Sequence, residues 1–127
     1  MKTIRASIAL ASLAVAIAGC ATQGPPPPAR TVDGVLVNPA GMTLYTFDKD
    51  VGGSGKSVCN GPCAINWPPL MASGNAPSAA WQVVTRDDGG KQWAYQGKPL
   101  YTWIKDAKPG DATGEGMAMG AWRVAVP

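Results

Sequence analysis

The sequence contains no histidine among its 127 residues, and it carries few charges of either sign. Without imidazole the chain has no histidine-based catalytic triad, no common type of zinc site and no covalent c-type haem attachment. Charged residues make up 15%, with 11 Lys and Arg against 8 Asp and Glu, and Lys2 and Arg5 lie in a segment that we expect to be removed. The remaining chain is close to neutral, which argues against a nucleic-acid partner.

A hydrophobic run long enough to cross a membrane is also lacking. The uncharged stretch from Ala6 to Gly19 holds 14 residues, which as a helix cover about 21 Å of a hydrocarbon core of about 30 Å. Behind a basic start, such a stretch is typical of a secretory signal peptide, here residues 1–19. Its end, Ile17-Ala18-Gly19-Cys20, resembles a bacterial lipobox, in which the cysteine thiol receives a diacylglycerol. The alternative is a plain signal peptide that ends in an incidental cysteine.

Lipidation at Cys20 predicts a palmitate-bearing lipoprotein of the bacterial cell envelope, whose partner through the lipid anchor is the membrane. Ala21 follows the cysteine, and in lipoproteins of this kind an aspartate there would favour inner-membrane retention. Alanine therefore favours the outer membrane, with the protein facing the periplasm.

A proline-rich segment follows the lipidation site. Residues 20–31 include four consecutive prolines, Pro25 to Pro28, which adopt an extended polyproline II conformation. We interpret this segment as a semi-rigid tether, and the alternative is a ligand for a proline-recognising domain. The folded domain then covers residues 32–127.

Glycine and proline are abundant in the chain, at 16 and 12 residues, while hydrophobic residues make up 46%. This composition argues against a helix bundle and favours short strands joined by turns. β-Forming residues predict strands at Val35–Val37, Leu44–Phe47, Trp81–Arg86, Lys91–Tyr95, Leu100–Ile104 and Ala121–Val126. We expect a small all-β domain, an antiparallel meander of six or seven strands, with no amphipathic helix and at most one helical turn at 75–80.

The domain contains an internal repeat. Gly41–Asp50 and Gly97–Asp106 agree at six of ten positions, with an offset of 56 residues. Each copy reads Gly-x-x-Leu-Tyr-Thr-aromatic-x-Lys-Asp and continues into a glycine-rich loop and a tryptophan, Trp67 or Trp122. The domain is therefore built from two related halves, with repeats at about 41–70 and 97–126.

Both copies fit the pattern Tyr-x-aromatic-x-x-Asp, at Tyr45–Asp50 and at Tyr101–Asp106. The chain resembles a bacterial family of predicted lipoproteins called secreted repeats with a Y-x4-D motif, and the stretch Cys59–Leu70 is similar to that family as well. The resemblance covers nearly all of the mature chain. It implies no activity, because the family has no established one.

The motif residues fit a structural role better than a catalytic one. They are Tyr45, Phe47, Asp50, Tyr101, Trp103 and Asp106. Tyrosine and aromatic residue share one strand face, as expected for core, and each aspartate follows its strand, where it accepts a bond from a tyrosine hydroxyl or from loop amides. The alternative is a ligand site or an acid–base pair. Catalysis also needs a nucleophile or metal and an oxyanion stabiliser, and we find none, so we expect no enzyme.

Other candidate sites have simpler explanations. The acidic pairs Asp48 with Asp50 and Asp87 with Asp88 lack the spaced oxygens of a calcium loop. Met117 and Met119 suit Cu(I) as thioethers, yet methionine more often fills a core. The five tryptophans could bind sugars or supply core volume. We expect core packing and no cofactor or metal.

Cys59 and Cys63 are the only thiols left once Cys20 is lipidated. Export places them in an oxidising compartment, and the three residues between them form a turn that brings the two Cβ atoms together. In the second repeat the aligned positions are Glu115 and Met119. We predict a structural disulfide, and the alternative is a catalytic redox pair.

These features predict a cell-envelope lipoprotein that acts as a non-enzymatic binding or structural module. Its partner would be a small ligand or an envelope protein. The alternative function is that of a thiol–disulfide or copper-handling periplasmic redox protein.

Overall fold

A computed structural model of the chain describes Thr3, Ala9, residues 11–15, Gly19 and residues 26–127. Within these residues the strands are β1 (Arg30–Val32), β2 (Val35–Val37), β3 (Tyr45–Phe47), β4 (Trp81–Thr85), β5 (Lys91–Tyr95), β6 (Lys98–Pro99) and β7 (Trp122–Val124). The helices are α1 (Pro62–Asn66) and α2 (Met117–Gly120). All strand pairs are antiparallel, and the predicted all-β class is confirmed.

An antiparallel hairpin opens each half of the domain. β1 pairs with β2 across Asp33 and Gly34, and β4 pairs with β5 across residues 86–90. Asp33 and Gly34 have φ values of 50° and 80°, as a two-residue type I′ turn requires. β1 includes Arg30 and Thr31, so paired backbone begins within the segment interpreted as the tether.

The last strand of the second half inserts into the first half. β7 pairs with β3, so that Tyr45 lies opposite Val124. Just beyond β7, Ala125 donates its amide to the Leu44 carbonyl at 2.8 Å and accepts a bond from the Leu36 amide at 2.9 Å. The end of the chain is therefore held between two segments of the other half.

The end of the first half inserts into the second half in the same way. Leu70 donates its amide to the Leu100 carbonyl at 2.9 Å, and its carbonyl accepts a bond from the Trp93 amide at 2.8 Å. The two halves are thus interlocked by reciprocal backbone hydrogen bonds. The repeat pattern predicts two related halves, and the structure adds that each half completes the other.

The prediction of a strand over Leu100–Ile104 is wrong. β6 ends at Pro99, and Tyr101 takes part only in isolated bridges. Thr102 donates its amide to the Pro68 carbonyl at 2.9 Å. Proline has no amide to return a second bond, so the ladder on this side stays incomplete. The equivalent segment of the first half pairs with β7, which lacks proline.

Both helices are single turns without buried residues. α1 begins at Pro62, where the fixed proline φ suits the first helical position. α2 is irregular, because Ala118 and Met119 have positive φ values of 54° and 59°. Residues 75–80, considered for a helical turn, form bends and a non-helical turn.

Two hydrophobic clusters fill the interior. The first contains the leucines of both halves together with two tryptophans: Leu36, Leu44, Leu100, Trp81, Trp93, Ala29 and Ala125. The second contains the motif tyrosines: Tyr45, Tyr101, Trp67, Trp122 and Cys59. Both clusters draw residues from both halves, so the domain is stabilised as one unit.

The predicted lipidation site, Cys20, lies outside the described residues, as does most of the predicted signal peptide. Of the expected tether, residues 26–31 are described, and Pro28 and Ala29 among them are buried. None of the helices in the described part of the chain is long and apolar enough to cross a membrane.

Candidate functional site

The motif tyrosines and aspartates form two crossed pairs. Tyr45 donates its hydroxyl to Asp106 Oδ2 at 2.6 Å, and Tyr101 donates its hydroxyl to Asp50 Oδ2 at 2.5 Å. Both tyrosines are fully buried, and each aspartate is only 8% exposed. Each tyrosine therefore bonds to the aspartate of the opposite repeat, not to the aspartate five residues along its own repeat.

Each aspartate also holds the loop that follows it. Asp50 Oδ1 accepts a bond from the Val58 amide at 2.7 Å. Asp106 Oδ1 accepts bonds from the Thr113 amide and hydroxyl at 2.9 and 2.6 Å. The sequence left open whether the carboxylates bond to a tyrosine hydroxyl or to loop amides, and in the structure they do both.

The two pairs differ in the second partner of the tyrosine hydroxyl. The Tyr101 hydroxyl lies 2.6 Å from Ser57 Oγ, whereas the Tyr45 hydroxyl accepts a bond from the Gly114 amide at 3.2 Å. The site around Tyr101 is consequently a side-chain network, and the site around Tyr45 is completed by backbone.

Arg86 is the main residue of this network that sequence reasoning missed. It is 3% exposed, and its Nη1 donates to Ser57 Oγ and Gln92 Oε1 at 3.0 and 2.8 Å. Its Nη2 donates to the Cys59 carbonyl. A signal existed in the sequence, because the two-residue period of a strand places position 86 on the face of the buried Val84.

Burial shifts the pKa of both motif tyrosines and of Asp50. Burial raises the pKa of Tyr45 and of Tyr101 above the ordinary range of tyrosine, and the bonds to Asp106 and Asp50 raise it further. Burial also raises the pKa of Asp50, against the lowering effects of the Tyr101 hydroxyl, the Val58 amide and the Arg86 charge. The tyrosines therefore remain protonated donors throughout the neutral range.

Four aromatic rings stack in a row beside these pairs. In order they are Phe47, Trp122, Trp67 and Trp103, with centroid separations of 4.2, 3.8 and 4.1 Å. The two inner rings are nearly parallel, at 3°. Tyr45 meets Trp67 edge-on at 5.3 Å, and Tyr101 meets Trp122 edge-on at 5.1 Å. Neighbouring rings in the row come from different halves, so its packing also joins them.

Cys59 and Cys63 lie with their sulfur atoms 2.04 Å apart, the distance of a disulfide bond. Cys59 is fully buried in the second hydrophobic cluster, and Cys63 lies in α1, partly buried. The bond therefore closes the loop of the first half next to the buried network. A redox pair needs an accessible thiol, and this geometry does not provide one at Cys59.

The tryptophans do not form an exposed binding platform. Trp67, Trp81, Trp93 and Trp122 are at most 9% exposed, and Trp103 is partly buried at the end of the aromatic row. An open groove of about 470 Å³ lies between the β1–β2 hairpin and residues 109–112. Among the described residues, its lining contains three valines and Arg30 and no tryptophan.

Of the two acidic pairs, Asp50 belongs to the crossed pairs, whereas the other three carboxylates and the two methionines lie outside the motif. Asp48 faces solvent and forms an ion pair with Arg123. Asp88 Oδ1 accepts a hydrogen bond from the Gly90 amide at 2.8 Å inside the β4–β5 turn. Met117 and Met119 are 41% and 97% exposed. The described residues contain no group of three or more Cys, Asp or Glu side chains that could hold a metal ion.

Comparison with known families finds one match. A family model described as a secreted repeat of unknown function matches two segments, residues 29–71 and 82–126. These segments extend the repeats expected at 41–70 and 97–126 toward the N-terminus, so that β1 and β2 join the first copy and most of the β4–β5 hairpin joins the second. Neither a curated protein nor a solved structure matches the chain.

Proposed function

The chain belongs to the family of secreted repeats of unknown function, and we propose that it is a non-enzymatic, lipid-anchored module of the bacterial cell envelope. In this role it acts by binding or by building the envelope surface. One observation carries the proposal: Tyr45 and Tyr101 are fully buried, and their hydroxyls are bonded to carboxylates of the opposite repeat. Residues placed in this way stabilise the fold and do not meet a substrate.

The chemistry of the motif also supports a non-enzymatic role. A general acid or base must come within hydrogen-bond reach of the substrate, and the crossed pairs are closed off by the aromatic row and the loops. In the described part of the chain every buried side-chain nitrogen or oxygen has a hydrogen-bond partner. The motif therefore leaves no buried side-chain polar atom without a partner for a reactant to satisfy, which supports functional contacts at the surface.

The anchor is supported by the N-terminal sequence. A basic start, a short apolar stretch and the lipobox at Cys20 occur in the required order, and the proline-rich segment follows as a spacer. One acyl chain binds a membrane marginally, and several bind it stably, so the modified cysteine would hold the domain at the membrane. Ala21 favours the outer membrane, on the periplasmic side.

Labelling with palmitate tests this proposal in cells that produce the full chain. The wild type incorporates label and fractionates with the outer membrane, whereas the Cys20→Ser variant incorporates none and is unanchored or unprocessed. Ala21→Asp serves as the matched control, because it keeps the acylated cysteine and shifts the protein to the inner membrane. Labelled, membrane-bound Cys20→Ser protein would contradict the proposal.

The alternative role in thiol–disulfide or copper handling has less support. Cys59 is buried, and its carbonyl is held by Arg86. Met117 and Met119 are exposed in the irregular helix α2, while a third thioether, that of Met71, packs beside Gly90 in the β4–β5 turn. Rapid turnover of a dithiol substrate by the purified protein would favour this alternative.

A further inference from the structure

The contacts that complete the buried motif join different halves of the chain. Tyr45 and Phe47 of the first half contact Asp106 and Trp122 of the second, and the terminal strands are exchanged. Neither half contains a complete tyrosine–aspartate pair. The surface between the halves therefore resembles a subunit interface, in which the two halves are similar units joined by a linker.

The linker consists of Ser73–Ala79, and each of these residues is exposed. Its sequence, Ser-Gly-Asn-Ala-Pro-Ser-Ala, contains turn-forming residues and no large hydrophobic side chain. The linker contributes little to the interior. Its main effect is to keep the two halves of one chain close enough to pair with each other.

We propose that two copies of this chain can assemble the fold between them, each supplying its first half to the second half of the other. The partner that fits the surface between the halves is a second copy of the same chain. In that dimer, Tyr45 of one copy donates to Asp106 of the other, so each buried pair is shared between copies. Such domain swapping retains the native contacts and changes only the path of the linker.

The length of the linker decides between the two arrangements. Ala72 is bonded to Lys91 on one side of β5, and Ala80 is bonded to Gln96 on the other side. From strand spacing and rise, these points lie about 19 Å apart. The wild-type segment between them reaches about 28 Å, whereas deletion of residues 73–77 shortens the reach to about 11 Å. While the bonds of Ala72 and Ala80 are kept, the shortened chain cannot close on itself, so pairing with a second copy is favoured.

The wild-type linker favours the monomer at ordinary concentrations. A short flexible linker holds its two ends at an effective concentration of the order of 1 mM. Pairing between two chains therefore competes with pairing of the halves within one chain only when the protein folds at a concentration near this value. The monomer and the swapped dimer then interconvert only by separation of the halves.

The test uses residues 26–127, which hold every described strand and helix, with Thr46→Cys and Arg123→Cys introduced. These residues lie opposite each other in β3 and β7, at a separation that a disulfide can bridge. The variant lacking residues 73–77 is compared with a control in which the same five residues are replaced by glycine and serine. Light scattering gives the mass, and a non-reducing gel shows whether the new disulfide joins two chains.

We expect the deletion variant to be a dimer in which the two introduced cysteines form a disulfide between chains. The control should be a monomer in which the same disulfide forms within one chain. A folded monomer from the deletion variant would overturn the proposal. A dimer whose new disulfide remains within one chain would also overturn it, because such a dimer uses another surface.

A second measurement does not require the deletion variant to fold. The control is unfolded in urea with a thiol reductant, which opens its disulfides, and is refolded with an oxidant such as oxidised glutathione at about 10 µM and at about 1 mM, below and near the effective concentration of the linked halves. We expect the intermolecular link to rise at least tenfold between the two concentrations. An intermolecular fraction that does not change with concentration would contradict the proposal.

Discussion

Tyr45 and Tyr101 exchange both of their backbone hydrogen bonds, with N–O distances of 2.8 and 3.0 Å. The two residues occupy the same position in the two repeats, so this pair lies where the halves meet. Each then donates its hydroxyl to the aspartate that follows the other tyrosine. We call these four side chains, Tyr45, Asp106, Tyr101 and Asp50, the reciprocal clamp. The equal spacing of tyrosine and aspartate in the two copies places the clamp symmetrically between them.

Alkaline conditions should destabilise the fold through the clamp. The raised pKa of Tyr45 and Tyr101 means that the folded state keeps protons that the unfolded state loses above about pH 10. Stability is therefore fully present below pH 10 and falls as the pH rises above it, by about 1.4 kcal/mol per pH unit for each tyrosine. Urea denaturation from pH 8 to 11 measures the slope. The double variant Tyr45→Phe/Tyr101→Phe should lose this extra slope, and an unchanged slope would contradict the assignment.

Removal of the Arg86 side chain should cost more than about 3 kcal/mol of unfolding free energy, because it leaves a buried network without its cation. Ser57, Gln92 and the Cys59 carbonyl all lose a donor. The change should also raise the pKa of Asp50, which the Arg86 charge lowers. Urea denaturation of Arg86→Ala measures the loss.

Arg123→Ala is the matched control for Arg86→Ala. Arg123 forms an exposed ion pair with Asp48, and such pairs contribute about 0–1 kcal/mol. Equal losses of stability in the two variants would show that Arg86 does not act as a buried structural residue.

The fold was predictable from the sequence where local signals act alone. Alternation and turn residues identify the β4–β5 hairpin, and the repeat identifies two related halves. The exchange of terminal strands was not predictable, because either half could pair its last strand with itself or with the other half without any change in pattern. The shortened strand near Thr102 depends on which segment lies beside it, namely Pro68.

The sequence assigns the motif aromatic residues to the core; in the structure both tyrosines are fully buried, whereas Phe47 and Trp103 are only partly buried. Most partners of the motif were not predictable, because Ser57 and Thr113 reach the motif through loops whose path no periodicity specifies. Arg86 illustrates the limit: strand alternation places it inward, yet a buried arginine is expected only once its acceptors are known.

Gly114→Ala should destabilise the domain by about 1–3 kcal/mol, as overpacking does. A Cβ at this position would lie 2.7 Å from Trp67 and 3.0 Å from Tyr45, inside the buried aromatic cluster. Gly52→Ala is the control, because a Cβ there meets nothing within 4 Å. Thermal melting of both variants checks this, and a tolerated Gly114→Ala would show that the ring of Trp67 has room to move.

Cys59 and Cys63 should not be alkylated in freshly isolated protein, because their sulfur atoms are joined in a disulfide bond. Mass spectrometry before and after reduction should show two modified cysteines only after the reductant is added. Replacement of both cysteines by alanine, which adds no buried hydroxyl, should cost at least about 2 kcal/mol for the short closed loop. Two alkylated thiols in unreduced protein would contradict the bond seen in the structure.

The most direct test of the reciprocal clamp is a set of double-mutant cycles on unfolding free energy, with tyrosine changed to phenylalanine and aspartate to asparagine. Tyr45 with Asp106, and Tyr101 with Asp50, should each show a coupling energy of about 1–3 kcal/mol. The pairs within one repeat, Tyr45 with Asp50 and Tyr101 with Asp106, should be additive within about 0.5 kcal/mol. Stronger coupling within a repeat than between repeats would contradict the clamp.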